Sequence, residues 1–305
     1  MSETPRHASR ATLLVVFSAC CFGSIPILTT IAIGSGARLI DVLVGRYAIA
    51  AVLLVMVGGG IRALRDSKHR APSLLLFAGG GQAAIAFVTL SALKYIPAAS
   101  VTFLFYTYPA WVAVMAALRG AERLTAQRAA ALVLSLAGIA LMVGMPGSAV
   151  LHPIGVSLAL GGALLYAMYI PMINRFGSGL PPAVTSAYTS AGAAIVLVAA
   201  AFTQSGLRYN FAPIGWLAIV VLAVLCTVLA FIAFLRGLAE IGAVRTAIVS
   251  TVEPFWTALL GSVVLGQQLG PRTYAGGTLI AAAVIVLQLG NRSATSASSA
   301  EGQVL

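Results

Sequence analysis

The chain has 305 residues, 60% of them hydrophobic and only 8% charged, with a mean hydropathy of +1.01. A water-soluble domain carries roughly a quarter charged residues, so the composition excludes a globule in water and makes the bilayer the solvent. The net charge of +11 would suit a nucleic-acid partner, but the placement of the basic residues argues for membrane topology and no nucleic acid.

Residues 1–11 form a short N-terminal segment. Apolar stretches long enough for a helix to cross a bilayer, about 20 residues each, then follow at 12–33, 40–58, 72–93, 97–118 and 127–145. A second series follows at 153–174, 181–202, 214–236, 242–265 and 272–290. Helices satisfy their own backbone groups in lipid. Strands of a membrane barrel would need the alternating polarity that residues 129–145 lack. The expected fold class is therefore all-α integral membrane, with about ten transmembrane helices. Residues 291–305 are Ser/Ala-rich and read as a disordered cytoplasmic tail.

The basic residues alternate in density along this order. Arg6 and Arg10 precede the first span, Arg62, Arg65, Lys68 and Arg70 fill the second loop, and Arg119, Arg123 and Arg128 surround the fourth. Arg175, Arg236, Arg245 and Arg292 fall at later ends on that same side, whereas the other side receives Arg38, Lys94, Arg208 and Arg272. This positive-inside asymmetry predicts cytoplasmic N- and C-termini. It also accounts for the Arg62–Arg70 cluster without a bound anion. Cys20, Cys21 and Cys226 lie within spans and have no disulfide or metal spacing. The first apolar run continues through Ile33, too long for a signal core, so the lipoprotein-like box at Phe17–Cys20 is set aside.

An offset of 145 residues recurs. It pairs Ile25–Pro26 with Ile170–Pro171, Ile96 with Ile241, Ala98 with Ala243, Pro109 with Pro254, Trp111 with Trp256, Ala113 with Ala258 and Leu124 with Leu269. With 3 tryptophans in the chain, two paired beside paired prolines point to duplication. The units are 12–145 and 153–290, five spans each. An odd number of spans turns the second unit upside down, giving two inverted five-helix repeats, a plan that places a transporter's site near the midplane between them.

Several motifs resemble the drug/metabolite transporter superfamily, in particular its EamA-type ten-helix permeases, over nearly the whole chain. They are Arg46-Tyr47 in the second span, Tyr108-Pro-Ala-Trp through Glu122-Arg-Leu-Thr, Glu253-Pro-Phe-Trp through Gln267-Gln-Leu-Gly, and Gly138 with Gly276. Gln267 departs from the acidic residue of the family's pattern, which puts a capping or surface role in doubt and leaves the fold untouched. The resemblance implies export of small metabolites, amino acids or drugs across a bacterial-type inner (plasma) membrane. It also implies a cavity lined by spans one to four and six to nine, with spans five and ten as peripheral struts.

Glu253 lies about eleven residues into its span, roughly 16 Å along the helix, where a carboxylate is costly and faces a cavity or partner. It is a candidate cation or proton site; the plainer reading is a carboxyl that holds a helix break. Arg46, about six residues into its span, either snorkels or reaches inward to a substrate carboxylate or to Glu253. The two are read as the ionised groups inside the spans. Trp111 and Trp256 lie one turn beyond Tyr108 and Glu253, where they would either bracket a cavity or simply pack. Tyr106, Tyr166, Tyr169 and Tyr188 add hydroxyls, and Gln82 and Thr227, one repeat apart, place a polar group in each half. The substrate-binding candidates are thus Arg46, Gln82, Tyr108, Trp111, Tyr169, Glu253 and Trp256. Pro26, Pro109, Pro171 and Pro254 are candidate hinges, because each removes a backbone donor; Pro254, for one, would leave the Ser250 carbonyl without its usual partner. Gly79-Gly80-Gly81, Gly161-Gly162 and Gly276-Gly277 suit close helix packing and lack the Lys-Ser/Thr of a phosphate loop.

One cation and one carboxylate suit a neutral, zwitterionic or singly cationic small molecule. The expected function is a permease for amino acids or similar small amphiphiles working by alternating access. A proton-coupled exporter of drugs or organic cations is the alternative, and a membrane-embedded enzyme or lipid-handling protein a third. His7, His69 and His152 are scattered without ligand spacing, and no nucleophile–base pair is visible. No enzyme, metal or cofactor is expected. The partners are a small-molecule substrate and the bilayer, and the sequence leaves monomer and dimer open.

Overall fold

A computed structural model describes residues 5–58, 60–92, 95, 104–118, 125–143, 152–203, 206–265, 271, 274–283 and 285–286. Lys94, Ile96, Ala98, Arg119, Glu122, Arg123, Leu124, Gln267, Leu269, Arg272, Arg292 and the tail 291–305 lie outside the described residues. Those described form helices, turns and connections, with no strand among them.

The helices are α1 (Pro5–Gly23), α2 (Ile25–Gly34), α3 (Leu39–Val57), α4 (Gly60–Asp66), α5 (Gly80–Ala92), α6 (Tyr108–Leu118) and α7 (Ala126–Val143) in the first half. The second half has α8 (Pro153–Phe176), α9 (Pro182–Phe202), α10 (Pro213–Ala223), α11 (Ala230–Ile241), α12 (Ala243–Val249), α13 (Val252–Leu265) and α14 (Tyr274–Ala283). Among the described residues, seven helical stretches are long and apolar enough to cross a membrane, some of them joined across a turn or π-turn, and 126–141 and 274–283 are shorter apolar helices. Large apolar side chains also face outward, Leu118 at 82% and Val263 at 76% exposure, as a lipid solvent allows, while the interior holds many alanines with Ser and Thr beside Tyr47, Leu54 and Ile170.

Local chemistry sets the boundaries. Proline occupies the first turn of α2, α8, α9 and α10, where its missing donor costs nothing. The imidazole of His152 caps α8 by accepting the Ile154 N–H. Gly242, at φ +79°, makes the reversal between α11 and α12, a conformation that a Cβ disfavours.

Five spans expected to be single helices are segmented among the described residues, including the third, at the π-turn Leu74–Gly79, and the fourth, at Tyr106–Thr107. The first breaks at Ser24 between α1 and α2. The ninth breaks at Ser250–Thr251 between α12 and α13. The eighth runs through a widened π-helical turn, Val224–Leu229, between α10 and α11. A second π-turn, Leu74–Gly79, leads into α5 in the first half. Such turns add a residue to the helical repeat and occur often at functional sites.

Packing respects the duplication. α1 and α2 lie on α11 and α10, as α8 lies on α5; α1 packs on α13 as α8 packs on α6. α3 meets α10 and its π-turn as α9 meets the other π-turn, and α3 pairs with its counterpart α9. The crossing of α9 over the first π-turn depends on two glycines. A Cβ on Gly192 would strike the Leu75 carbonyl and come within 3.0 Å of the Gly79 Cα. Backbone cannot yield as a side chain can, and overpacking costs about 1–3 kcal/mol. Gly192→Ala is therefore expected to lower the thermal unfolding midpoint in detergent and Gly192→Leu to prevent folding; an unchanged midpoint for both would refute this tight crossing.

Gly138 and Gly276 meet directly. A Cβ on Gly138 would lie 2.6 Å from the Gly276 carbonyl oxygen. Gln127 also donates its amide to the Val286 carbonyl, so α7 is tied to the stretch around α14.

Candidate functional site

A cavity of about 440 Å³ lies between the two halves. Its floor and walls come from α1, α2, α3, α5, α6, α8, α11 and α13. α7 and α14 contribute none of its lining, and neither does α9. The expected contribution of the seventh span is thus absent. α9 instead buries Thr185, Ser186, Thr189 and Ser190 against its neighbours.

Of the seven candidate residues, five meet here: Arg46, Gln82, Tyr108, Tyr169 and Glu253. Trp111 and Trp256 do not line the cavity. The Trp111 side chain is 39% exposed, facing outward, and the Trp256 indole donates to Ser24 Oγ at 3.1 Å, bracing the break in the first span. Thr257 completes that brace by donating to the Gly23 carbonyl at 2.8 Å.

Arg46 is 4% exposed on α3. Its Nε donates to Thr227 Oγ1 at 2.7 Å and its Nη2 to the Cys226 carbonyl at 3.0 Å, both on the second π-turn. Thr227 in turn donates to the Leu222 carbonyl at 3.0 Å. The guanidinium lies 5.0 Å from the centroid of the Tyr47 ring. Gln82, the repeat counterpart of Thr227, donates to the Tyr47 hydroxyl at 3.1 Å. Both mid-span polar groups thus converge on the Arg46–Tyr47 dipeptide.

Glu253 stands in the first turn of α13, after the break at Ser250–Thr251. The Tyr106 hydroxyl lies beside its carboxylate, and Tyr108 and Tyr166 stand near it, their rings 4.8 Å apart edge to face. Phe105 stacks on Tyr166 at 5.5 Å and Tyr166 on Tyr169 at 6.3 Å, which continues this aromatic wall. Phe22, Phe231 and Phe234 form another, with ring centroids 5.6 and 6.0 Å apart. The Tyr169 hydroxyl, buried beside Thr189, has no hydrogen-bond partner among the described residues.

No ion pair joins Arg46 to Glu253 among the described residues, so the direct pairing allowed by the sequence is not formed. The structure also adds an ionised group at the edge of a span, Asp41. It is fully buried at the start of α3 and receives Arg38 Nε at 2.7 Å, Arg38 Nη2 at 2.8 Å and the Arg208 backbone N–H at 3.0 Å. Arg38 also donates to the Gly206 carbonyl at 2.6 Å. The clue in the sequence is the i, i+3 spacing of Arg38 and Asp41 at a helix start, where a carboxylate is favoured.

The four prolines divide. Pro26, Pro109 and Pro254 fall within the first turn of α2, α6 and α13, while Pro171 lies inside the continuous α8. The Ser250 carbonyl, expected to lose its partner to Pro254, instead accepts from Glu253 N–H at 3.0 Å.

The profile of the EamA-like transporter family matches residues 9–144 and again 153–289. The chain belongs to the EamA-like transporter family. This EamA-like chain is 26% identical over 277 residues to a Bacillus subtilis protein named Uncharacterized transporter YcbK, covering 87% of the one and 88% of the other. It is 26% identical to the Uncharacterized inner membrane transporter YicL of Salmonella typhimurium, covering 81% and 84%. A solved crystal structure shares its fold with a TM-score of 0.78 at 20% identity, over 93% of this chain and 98% of that one. The EamA-like chain is thus a multi-pass, all-helical membrane protein with a repeated layout.

Proposed function

We propose that this transporter moves amino acids or similar small zwitterionic amphiphiles, mainly outward, by alternating access between two inverted five-helix repeats. The observation that carries the reading is the inter-repeat cavity with a cation, Arg46, and a carboxylate, Glu253, set in aromatic walls. A zwitterion needs those two poles, and its apolar side chain suits Phe22, Phe231 and Phe234. The paired packing of the halves and their segmented spans support an exchange of conformations between repeats. The positive-inside asymmetry supports cytoplasmic termini in a bacterial-type inner membrane, as YicL's name states for that relative. Pro26, Pro109 and Pro254, each just past a break, are the proposed hinge positions.

The test is purified protein in liposomes, screened for flux of labelled amino acids and cationic dyes with and without a pH gradient. Saturable flux of at least one amino acid is expected; flux of dyes alone would replace this reading with proton-coupled cation export. Accessibility labelling should place Pro146 and Asn291 on opposite faces of the membrane. Labelling on one face would end the inverted arrangement.

A further inference from the structure

Arg46 is a buried cation whose hydrogen-bonding partners, Thr227 Oγ1 and the Cys226 carbonyl, are both neutral. A charge held this way in a low-dielectric interior is only partly compensated. The holder itself is specialised. Thr227 commits its proton to the Leu222 carbonyl five residues back, across the widened turn. Its oxygen lone pair is thereby fixed as an acceptor towards Arg46 Nε. Two acceptor oxygens at 2.7 and 3.0 Å, one at Nε and one at Nη2, reproduce the way a carboxylate receives a guanidinium edge.

We propose that Thr227 and the Cys226 carbonyl act as a built-in stand-in for a substrate carboxylate, holding Arg46 while the cavity is empty and yielding it when a carboxylate-bearing substrate binds. Thr227 is then a positioning residue that sets the affinity for substrates with a carboxylate and is silent for those without one. The exchange also ties occupancy to shape. Arg46 belongs to α3 in the first half, and its resting partners belong to the π-turn of the second. Binding of a carboxylate releases that cross-repeat tie, and departure of the substrate restores it. This inference rests on the zwitterion reading of the cavity, since it needs a carboxylate to reach Arg46.

The experiment uses the full chain in liposomes with two probes, leucine and isopentylamine, which is leucine without its carboxylate. Thr227→Val removes the acceptor with little change in volume. It should lower the KM for leucine about fivefold, the effect of losing one competing hydrogen bond, and should lower kcat for leucine as the tighter complex releases more slowly. Both constants for isopentylamine should hold, and Thr227→Ser should behave as the unaltered protein. If Thr227→Val is not recovered folded, Thr227→Ala makes the same comparison. Equal shifts for both probes, or none for leucine, would overturn the stand-in role while leaving the permease reading in place. If the unaltered protein neither binds nor moves any amino acid, the zwitterion reading fails and this inference with it.

Discussion

Arg46→Gln is expected to raise the KM for leucine roughly tenfold to a hundredfold while sparing isopentylamine, since a hydrogen bond to a charged group contributes about 1.5–3 kcal/mol. Glu253→Gln should instead weaken both amine-bearing probes by a similar factor, because its carboxylate is the one negative pole among the cavity-lining residues described. The two residues are not paired with each other, so the single losses for leucine should add in the double variant as free energies. A double variant no worse than either single one would mean that Arg46 and Glu253 act as one unit, contrary to the geometry. Glu253→Gln also separates the two transport readings. If pH-driven dye flux disappears with it, proton-for-cation exchange gains; if pH-driven flux is unchanged, Glu253 has no role in coupling.

Much of this arrangement is legible in the sequence because lipid simplifies the problem. A 20-residue apolar run has little to become except a helix, so the existence of most elements follows from composition. The site was partly legible for the related reason that a charge inside a span needs a purpose. Arg46 and Glu253 stand out against apolar neighbours, and both line the cavity. The tryptophans misdirect because rarity signals duplication without saying which way a ring points. Trp256 turns its indole to Ser24 and Trp111 turns outward. The π-turns have no pattern of apolar residues that sets them apart from α-helix, so the partner of Arg46 could not be read from spacing. Gln82 and Thr227 were visible as a repeat pair, but their convergence on Arg46–Tyr47 depends on how α5 and the second π-turn pack against α3. Asp41 does not stand out in the sequence because it sits at a span's edge, where a carboxylate reads as surface.

Asp41→Ala should be strongly destabilising although Asp41 lies outside the cavity. The carboxylate is buried while three N–H groups converge on it, two from Arg38 and one from the backbone of Arg208. These contacts fasten the connection after α9 to the start of α3, and the Ala212 N–H adds to the seam by donating to the Ser35 carbonyl at 3.1 Å. Removing the carboxylate leaves the Arg208 amide without its acceptor and loses a charge-assisted pair, at a cost of about 1–3 kcal/mol, while Arg38, 31% exposed, keeps the Gly206 carbonyl. The thermal midpoint should fall by roughly 5–10 °C, given about 2–4 °C per kcal/mol for a chain somewhat smaller than this one. Asp41→Asn keeps an acceptor for the Arg208 amide and loses only the charge, so its midpoint should lie between the two. Leu39 and Leu43 line the cavity on the same helix, so both variants should also leak substrate analogues through liposomes faster than the unaltered protein. Equal midpoints for all three proteins would show that the seam is held by the surrounding backbone contacts and that Asp41 only fills it.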